Sequence, residues 1–232
     1  MLYDPIAERR TSDRAGEAAG RSTVPLRSFA PHDHLFFQGD ASTGLFEIEH
    51  GTVVVYKLLS DGRRQVQQFA GSGDMIGLTL DPDHDLSAEA LTQVTARYMP
   101  RIAFERAMQD DADFRRRVFG FVSSQLSMAR EQAVLLGRKS ALERVASFLL
   151  YLDSRLPEGT DGHIRLAMSR CDIADYLGLT LETVSRMLNR LKQMRVISLP
   201  RPTAFRILQE DRLIDLAGEG DAEPVAHAVV AH

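Results

Sequence analysis

The 232-residue chain has one cysteine, Cys171, and no tryptophan. A lone thiol excludes an internal disulfide, and it excludes an iron–sulfur cluster held by about four thiolates. No run of 18 apolar residues occurs, so no transmembrane helix and no membrane partner are expected. Residues 1–24, MLYDPIAERRTSDRAGEAAGRSTV, lack the apolar segment of a secretory signal, which with the single cysteine points to the cytoplasm. Enzyme signatures are also missing: there is no nucleophile elbow, no P-loop and no metal-ligand cluster. Asp211 and Asp215 stand at helical spacing, but solvated acids at a helix end are far commoner than a catalytic pair. An enzyme is therefore disfavoured, and neither a metal nor a cofactor is expected. What remains is a globular composition, 44% hydrophobic and 26% charged, at a length that suits one large or two small domains.

The most informative stretch that is present is Met168–Arg195, MSRCDIADYLGLTLETVSRMLNRLKQMR. Ser169 can cap a first helix, with Asp172 three residues on. Ile173, Ala174 and Leu177 form its apolar face, and Gly178 ends it where positive φ is needed. Thr180 can cap a second helix, whose buried stripe is Val184, Met187, Leu188 and Leu191. Its other face carries Glu182, Thr183, Ser185, Arg186, Asn189, Arg190 and Lys192. The alternative is an ordinary solvated amphipathic helix. The turn length and the base- and phosphate-binding side chains favour a helix-turn-helix that binds DNA. Val196–Leu199 and Ala204–Leu208 read as two strands of a wing around Pro200-Arg201-Pro202. Residues 164–206 hold eight Arg or Lys against three acids, a net +5 in a chain of −4, which leaves −9 for the rest. Such a local basic patch is an electrostatic footprint for nucleic acid.

Leu179-Thr180-Leu181-Glu182-Thr183-Val184-Ser185-Arg186 resembles the recognition helix of the CRP/FNR superfamily of transcription regulators. Glu182-x-x-Ser185-Arg186 is similar to the FNR and FixK branches; the CRP branch has Gly in place of Ser185 and Arg in place of Leu181. The resemblance covers roughly residues 26–210. It implies that a homodimer reads an inverted repeat of TTGAT half-sites. Arg186 would bond guanine O6 and N7, Glu182 would accept from a cytosine amino group, and Ser185 would contact a thymine. Ser169, Arg170, Thr180, Thr183, Arg190, Lys192 and Arg201 are the expected backbone contacts.

Upstream, Pro25 to about Pro100 reads as short strands punctuated by glycine turns, including the hairpin signal Asp61-Gly62. This portion resembles the cyclic-nucleotide-binding barrel through Gly39-Asp40, Gly51 and Gly73-Asp74-Met75-Ile76-Gly77. Nucleotide-binding members carry Glu after the last glycine and an Arg-Ser pair further on. Here Leu78 and Leu86-Ser87 stand in those places, and a buried phosphate without a cation is costly, so no cAMP binding is expected. Asp110–Asp113 can open a long helix, in which Val118, Val122, Leu126, Ala129, Ala133 and Leu136 recur at 3–4 spacing. That stripe is either packing against the barrel or, as the resemblance implies, a dimer seam. Gly137-Arg138-Lys139 is the expected hinge, and Ser140-x-x-Glu143 a capping box.

The expected architecture is thus α+β. Residues 1–24 form a flexible arm, 25–109 an antiparallel β-barrel of the jelly-roll kind, and 110–137 the dimerisation helix. Residues 138–217 form the winged helix-turn-helix, and 218–232 a flexible tail. Control is expected through oxidation of Cys171, in the first turn of the first motif helix beside Arg170 and Asp172, with an inert thiol as the alternative. A haem-dependent nitric-oxide sensor is the other reading, resting on His32, His34, His50 and His84. RNA polymerase is an expected partner, with the acidic turn Asp81–Asp85 near the surface that family members use. A protease acting through the tail is a further one. The implied role is activation of microoxic or anaerobic respiration, denitrification or nitrogen-fixation genes.

Overall fold

The computed structural model describes residues 25–156, 159 and 161–218. The expected N-terminal arm, and the tail beyond Gly218, lie outside these residues. Eight strands come first: β1 (Leu26–Phe29), β2 (His34–Phe36), β3 (Gly44–His50), β4 (Val53–Leu58), β5 (Arg64–Ala70), β6 (Met75–Ile76), β7 (Ser87–Ala90) and β8 (Val94–Pro100). Three helices follow, α1 (Arg101–Asp110), α2 (Ala112–Arg138) and α3 (Ala141–Arg155). The last part is β9 (Ile164–Arg165), α4 (Arg170–Leu177), α5 (Leu181–Gln193), β10 (Ile197–Arg201), β11 (Ala204–Ile207) and α6 (Glu210–Leu216).

The strands form two antiparallel four-stranded sheets, ordered β1-β8-β3-β6 and β2-β7-β4-β5. No ladder joins them, so the expected barrel is an open two-sheet roll. Its edges are β1 and β6 of one sheet and β2 and β5 of the other, and β2 and β6 are only three and two residues long. Phe36, Phe46, Ile48, Val53, Val55 and Ala96 fill the space between the sheets. Gly51 turns β3 into β4 at φ +94°, where a Cβ would lie 2.3 Å from the Gln93 carbonyl oxygen.

β4 departs from alternation. Val53, Val54, Val55 and Tyr56 are all buried. A strand covered on both faces reads as a continuous apolar run. Val53 and Val55 face the core of the roll, whereas Val54 and Tyr56, with Val66 and Phe69 of β5, join the core of the C-terminal domain. The two domains therefore share one sheet as a wall.

Asp111 caps α2, accepting from the Asp113 and Phe114 N–H groups at 2.9 Å. The helix continues through Gly137 and Arg138, so the expected hinge at Gly137–Lys139 narrows to Lys139, which is extended, and Ser140. A helical glycine costs about 1 kcal/mol relative to Ala. Here Arg144 offsets it: its guanidinium donates to the carbonyls of Leu136, Lys139 and Leu177, each at 2.9 Å. One side chain thus satisfies the orphan carbonyls that end both α2 and α4. Ser140 and Glu143 form the expected capping box of α3.

Candidate nucleic-acid interface

α4 opens on a reciprocal cap. Asp172 accepts from the Ser169 N–H at 2.8 Å and the Ser169 hydroxyl at 2.6 Å, and Ser169 Oγ accepts from the Asp172 N–H. Ile173, Ala174 and Leu177 are buried, and Gly178 stops the helix at φ +60°. Thr180 Oγ1 accepts the Thr183 N–H and starts α5. Val184, Leu188 and Leu191 are buried, with Met187 packed partly against the same core. The amphipathic turn of helices is thus locally encoded: caps at each start, a left-handed glycine between, and one apolar stripe per helix.

The three expected base readers lie at i, i+3 and i+4 of α5, on one face. Glu182 and Arg186 are exposed and Ser185 is half-buried. The Glu182 carboxyl is held below its ordinary range by its own backbone N–H and the Thr180 hydroxyl, so it presents an ionised, acceptor-only group. Arg186 is tethered only at the limit of hydrogen bonding, 3.5 Å from Thr183 Oγ1. Arg190 and Lys192 are exposed further along, in the last turn.

The wing contains a third strand. β11 pairs with β10 on one side and with the two-residue β9 on the other. The expected turn at Pro200–Pro202 is displaced, because Pro200 and Arg201 lie within β10, which shifts register between Ser198 and Arg201. That irregularity accommodates a proline with no N–H to give the ladder. Arg165, Arg201 and Arg206 are exposed on this sheet. Arg170 has a second task. It is half-buried and donates to the Pro202 carbonyl at 2.8 Å, fastening the wing turn to α4. Cys171, next to it, is exposed.

On α2 the expected seam divides. Val122, Leu126, Ala129 and Ala133 are exposed, but Val118 is buried within its own chain. Leu136 is half-buried, with Cδ2 3.3 Å from where a Gly178 Cβ would be. Phe119, 66% exposed and missed in the sequence, completes an exposed 3-4-3-4 row: Phe119, Val122, Leu126, Ala129, Ala133. Its signal was there, since Val118 and Phe119 are adjacent apolar residues and only one can face inward.

The roll positions where a nucleotide would sit are separate. Leu86 lines a cavity of about 390 Å³ between β4, β5 and α2, whereas Leu78 lines a different one of about 20 Å³. The larger cavity has one cation, Lys57, which is 4.0 Å from Asp85. A cyclic phosphate would have to compete with that carboxylate, so the donor set fits a nucleotide poorly. Of the four histidines, His32 and His34 both lie against Glu89, and His50 and His84 stand apart. His32 contacts Glu89 at 3.0 Å, His34 contacts the Tyr56 hydroxyl at 3.1 Å, His84 is buried against Phe36, and His50 is exposed. Among the described residues, no group of three or more His, Cys, Asp or Glu is placed to hold a metal ion, and no helix is long and apolar enough to cross a membrane.

An open β-roll, a long helix and a winged helix-turn-helix with a basic reading face define a DNA-binding regulator. The comparisons agree. The cyclic nucleotide-binding domain family matches residues 26–111, and the Crp-like helix-turn-helix domain family matches residues 143–216. The chain is 40% identical over 173 residues to the nitrogen fixation regulation protein FixK of Bradyrhizobium diazoefficiens, covering 74% of this chain and 73% of that one. It is 36% identical to the FixK of Rhizobium meliloti, covering 82% and 86%. The structure of FixK2 from Bradyrhizobium japonicum superposes with a TM-score of 0.78 at 37% identity, covering 83% of this chain and 96% of that one. The chain belongs to the CRP/FNR superfamily, in its FixK-like branch; it is a transcription regulator with a helix-turn-helix DNA-binding domain and not an enzyme.

Proposed function

We propose that this regulator is a cytoplasmic homodimeric activator that reads TTGAT-type inverted repeats, one α5 per half-site, without cAMP or an iron–sulfur cluster. The observation that carries this reading is the exposed face of α5, where ionised Glu182, Ser185 and Arg186 stand within two turns. Two half-sites about 34 Å apart, one turn of DNA, require two heads related by a two-fold axis. The exposed apolar row on α2 supplies an isologous seam for that pairing. The FixK relatives are named for nitrogen fixation regulation, which supports target genes of microoxic or anaerobic respiration, denitrification or nitrogen fixation. RNA polymerase is the partner at activated promoters. A protease acting through the C-terminal tail sets protein lifetime, a role that unchanged turnover after deletion of the tail would reject.

Cys171 is the control point. It is exposed in the first turn of α4, beside Ser169 and Arg170. Oxidation to a sulfinic or sulfonic acid fixes a negative charge where phosphate approaches, and binding falls by repulsion. Footprinting with in vitro transcription on a TTGAT palindrome, with and without peroxide, tests both parts. Protection of the palindrome and peroxide-sensitive transcription are expected, with sensitivity lost in Cys171→Ser. A variant inactivated as fast as wild type would remove Cys171 from the scheme, and an unprotected palindrome would remove the readout.

A further inference from the structure

We propose that Arg64, on the roll, is a positioning residue for DNA recognition: it latches the first helix of the helix-turn-helix to the shared sheet and neutralises two of the motif's three carboxylates. This rests on the DNA-reading function proposed above.

Arg64 is the first residue of β5, and its guanidinium reaches across the domain boundary. Nη2 donates to Asp172 Oδ1 at 2.6 Å and to Asp175 Oδ2 at 3.0 Å, while Nε donates to Asp175 Oδ2 at 3.1 Å. Nη1 lies 3.8 Å from Glu89 Oε2, and the group sits over the Tyr56 ring at 5.0 Å. The neighbouring Gln65 donates to the Asp175 carbonyl at 2.9 Å, so side chain and main chain of α4 are both held. A second bolt has the opposite polarity: Arg155 of α3 donates to Asp74 of the roll at 2.8 Å. These pairs are shielded, with side-chain exposures of 26% for Arg64 and 10% for Asp172. Shielded, forked arginine–carboxylate pairs fix geometry in a way that exposed pairs do not.

Two consequences bear on DNA. The head joins α2 through a two-residue break, Lys139–Ser140, bridged by Arg144, so its orientation depends also on contacts with the roll. Asp172 accepts from Arg64 with one oxygen and from Ser169 with the other. The N-terminus of α4, where Ser169, Arg170 and Cys171 sit, is therefore tied to the roll through a single carboxylate. The second consequence is electrostatic. Within 164–206 the acids are Asp172, Asp175 and Glu182. Arg64 pairs the first two and leaves Glu182 as the one acid presented to bases. Without Arg64, three carboxylates including Glu89 would face one another with no guanidinium among them, and α4 would be pushed away from the sheet.

The test compares wild type, Arg64→Met, Arg64→Lys and Asp175→Asn in the full chain. Each is titrated by fluorescence anisotropy against a TTGAT inverted repeat, and against repeats one base pair longer or shorter. Melting and sedimentation verify fold and assembly. Arg64→Met should bind the native spacing about tenfold more weakly, within the usual range of coupling between sites. It should also lose the preference for native spacing, a change that a mere loss of stability would not produce. Arg64→Lys, with a charge but no fork, should fall between. Should Arg64→Met fail to fold, Asp175→Asn, which strips the charge from one arm of the fork, carries the same comparison. Wild-type affinity and spacing preference in the variants, or tighter binding, would overturn the latch. A wild type that does not bind the repeat would instead overturn the proposed function, and the latch with it.

Discussion

At the scale of single residues, the proposed readout rests most heavily on Arg186. It is exposed, weakly tethered and placed four residues from an ionised Glu182. A bidentate contact to guanine is worth about 1–3 kcal/mol of discrimination. Arg186→Ala is expected to abolish specific binding while leaving a weak, salt-sensitive residue of non-specific affinity; a gel-shift titration at two salt concentrations separates the two. Asp172 makes a different prediction. Burial works to raise its pKa, but hydrogen bonds from Ser169 and Arg64 outweigh burial and hold the carboxyl below its usual range. Its ionised form is thus the one the fold favours. The stability it contributes is complete above about pH 4, the ordinary carboxylate value, and is lost as pH falls through the lower folded value. Urea midpoints of wild type and Asp172→Asn should differ at neutral pH and converge in acid. A gap that does not change with pH would show that Asp172 acts by shape alone. The capping partners were legible in the sequence because each is set by a spacing of three or four residues. Arg64 was not, because its partners lie 108 and 111 residues away.

Among the elements, α2 is the one whose two faces do different work. Its inward face holds Phe114 and Val118, and its outward face presents Phe119, Val122 and Leu126. Periodicity located the stripe, but 3–4 spacing does not say which neighbour covers it, and Val118 went to the wrong side for that reason. Leu126→Asp places a charge in the exposed row, at a side chain that is half open to solvent in its own chain. It should give folded monomers in sedimentation and lose binding to the inverted repeat, since one head holds only half the site. A Leu126→Asp dimer of wild-type stability would show that the row is not the seam. The expected hinge began two residues early, though it included Lys139, because Arg144, which holds the end of α2, acts through tertiary hydrogen bonds that local sequence does not display. The shortest strand of the wing, β9, escaped notice because two residues carry no period.

For the whole molecule, the decisive fact is that the core of the head extends onto the outer face of the roll. Val54, Tyr56, Val66 and Phe69 of the roll pack in one cluster with Phe148, Leu177 and Leu188 of the head. Ring contacts link Phe69, Phe148, Tyr151 and Tyr176 across the boundary. The head's interior is completed by the outer face of β4 and β5, while the roll keeps a second core between its own sheets. Calorimetry should therefore show one cooperative transition in which roll and head melt together, and two resolved transitions would refute the shared core. In the sequence this region reads only as short strands; that Val53–Tyr56 is covered on both faces, and by what, comes from the structure.

The same sheet limits how such regulators can be rearranged. A reading head moved onto another roll would bring its aromatic cluster without the surface that covers it. The donor must then also supply the outer side of β4 and β5, together with the arginine that meets Asp172 and Asp175. Under the proposed readout, the exposed side chains of α5 are the part of this head that can be exchanged without disturbing the shared wall.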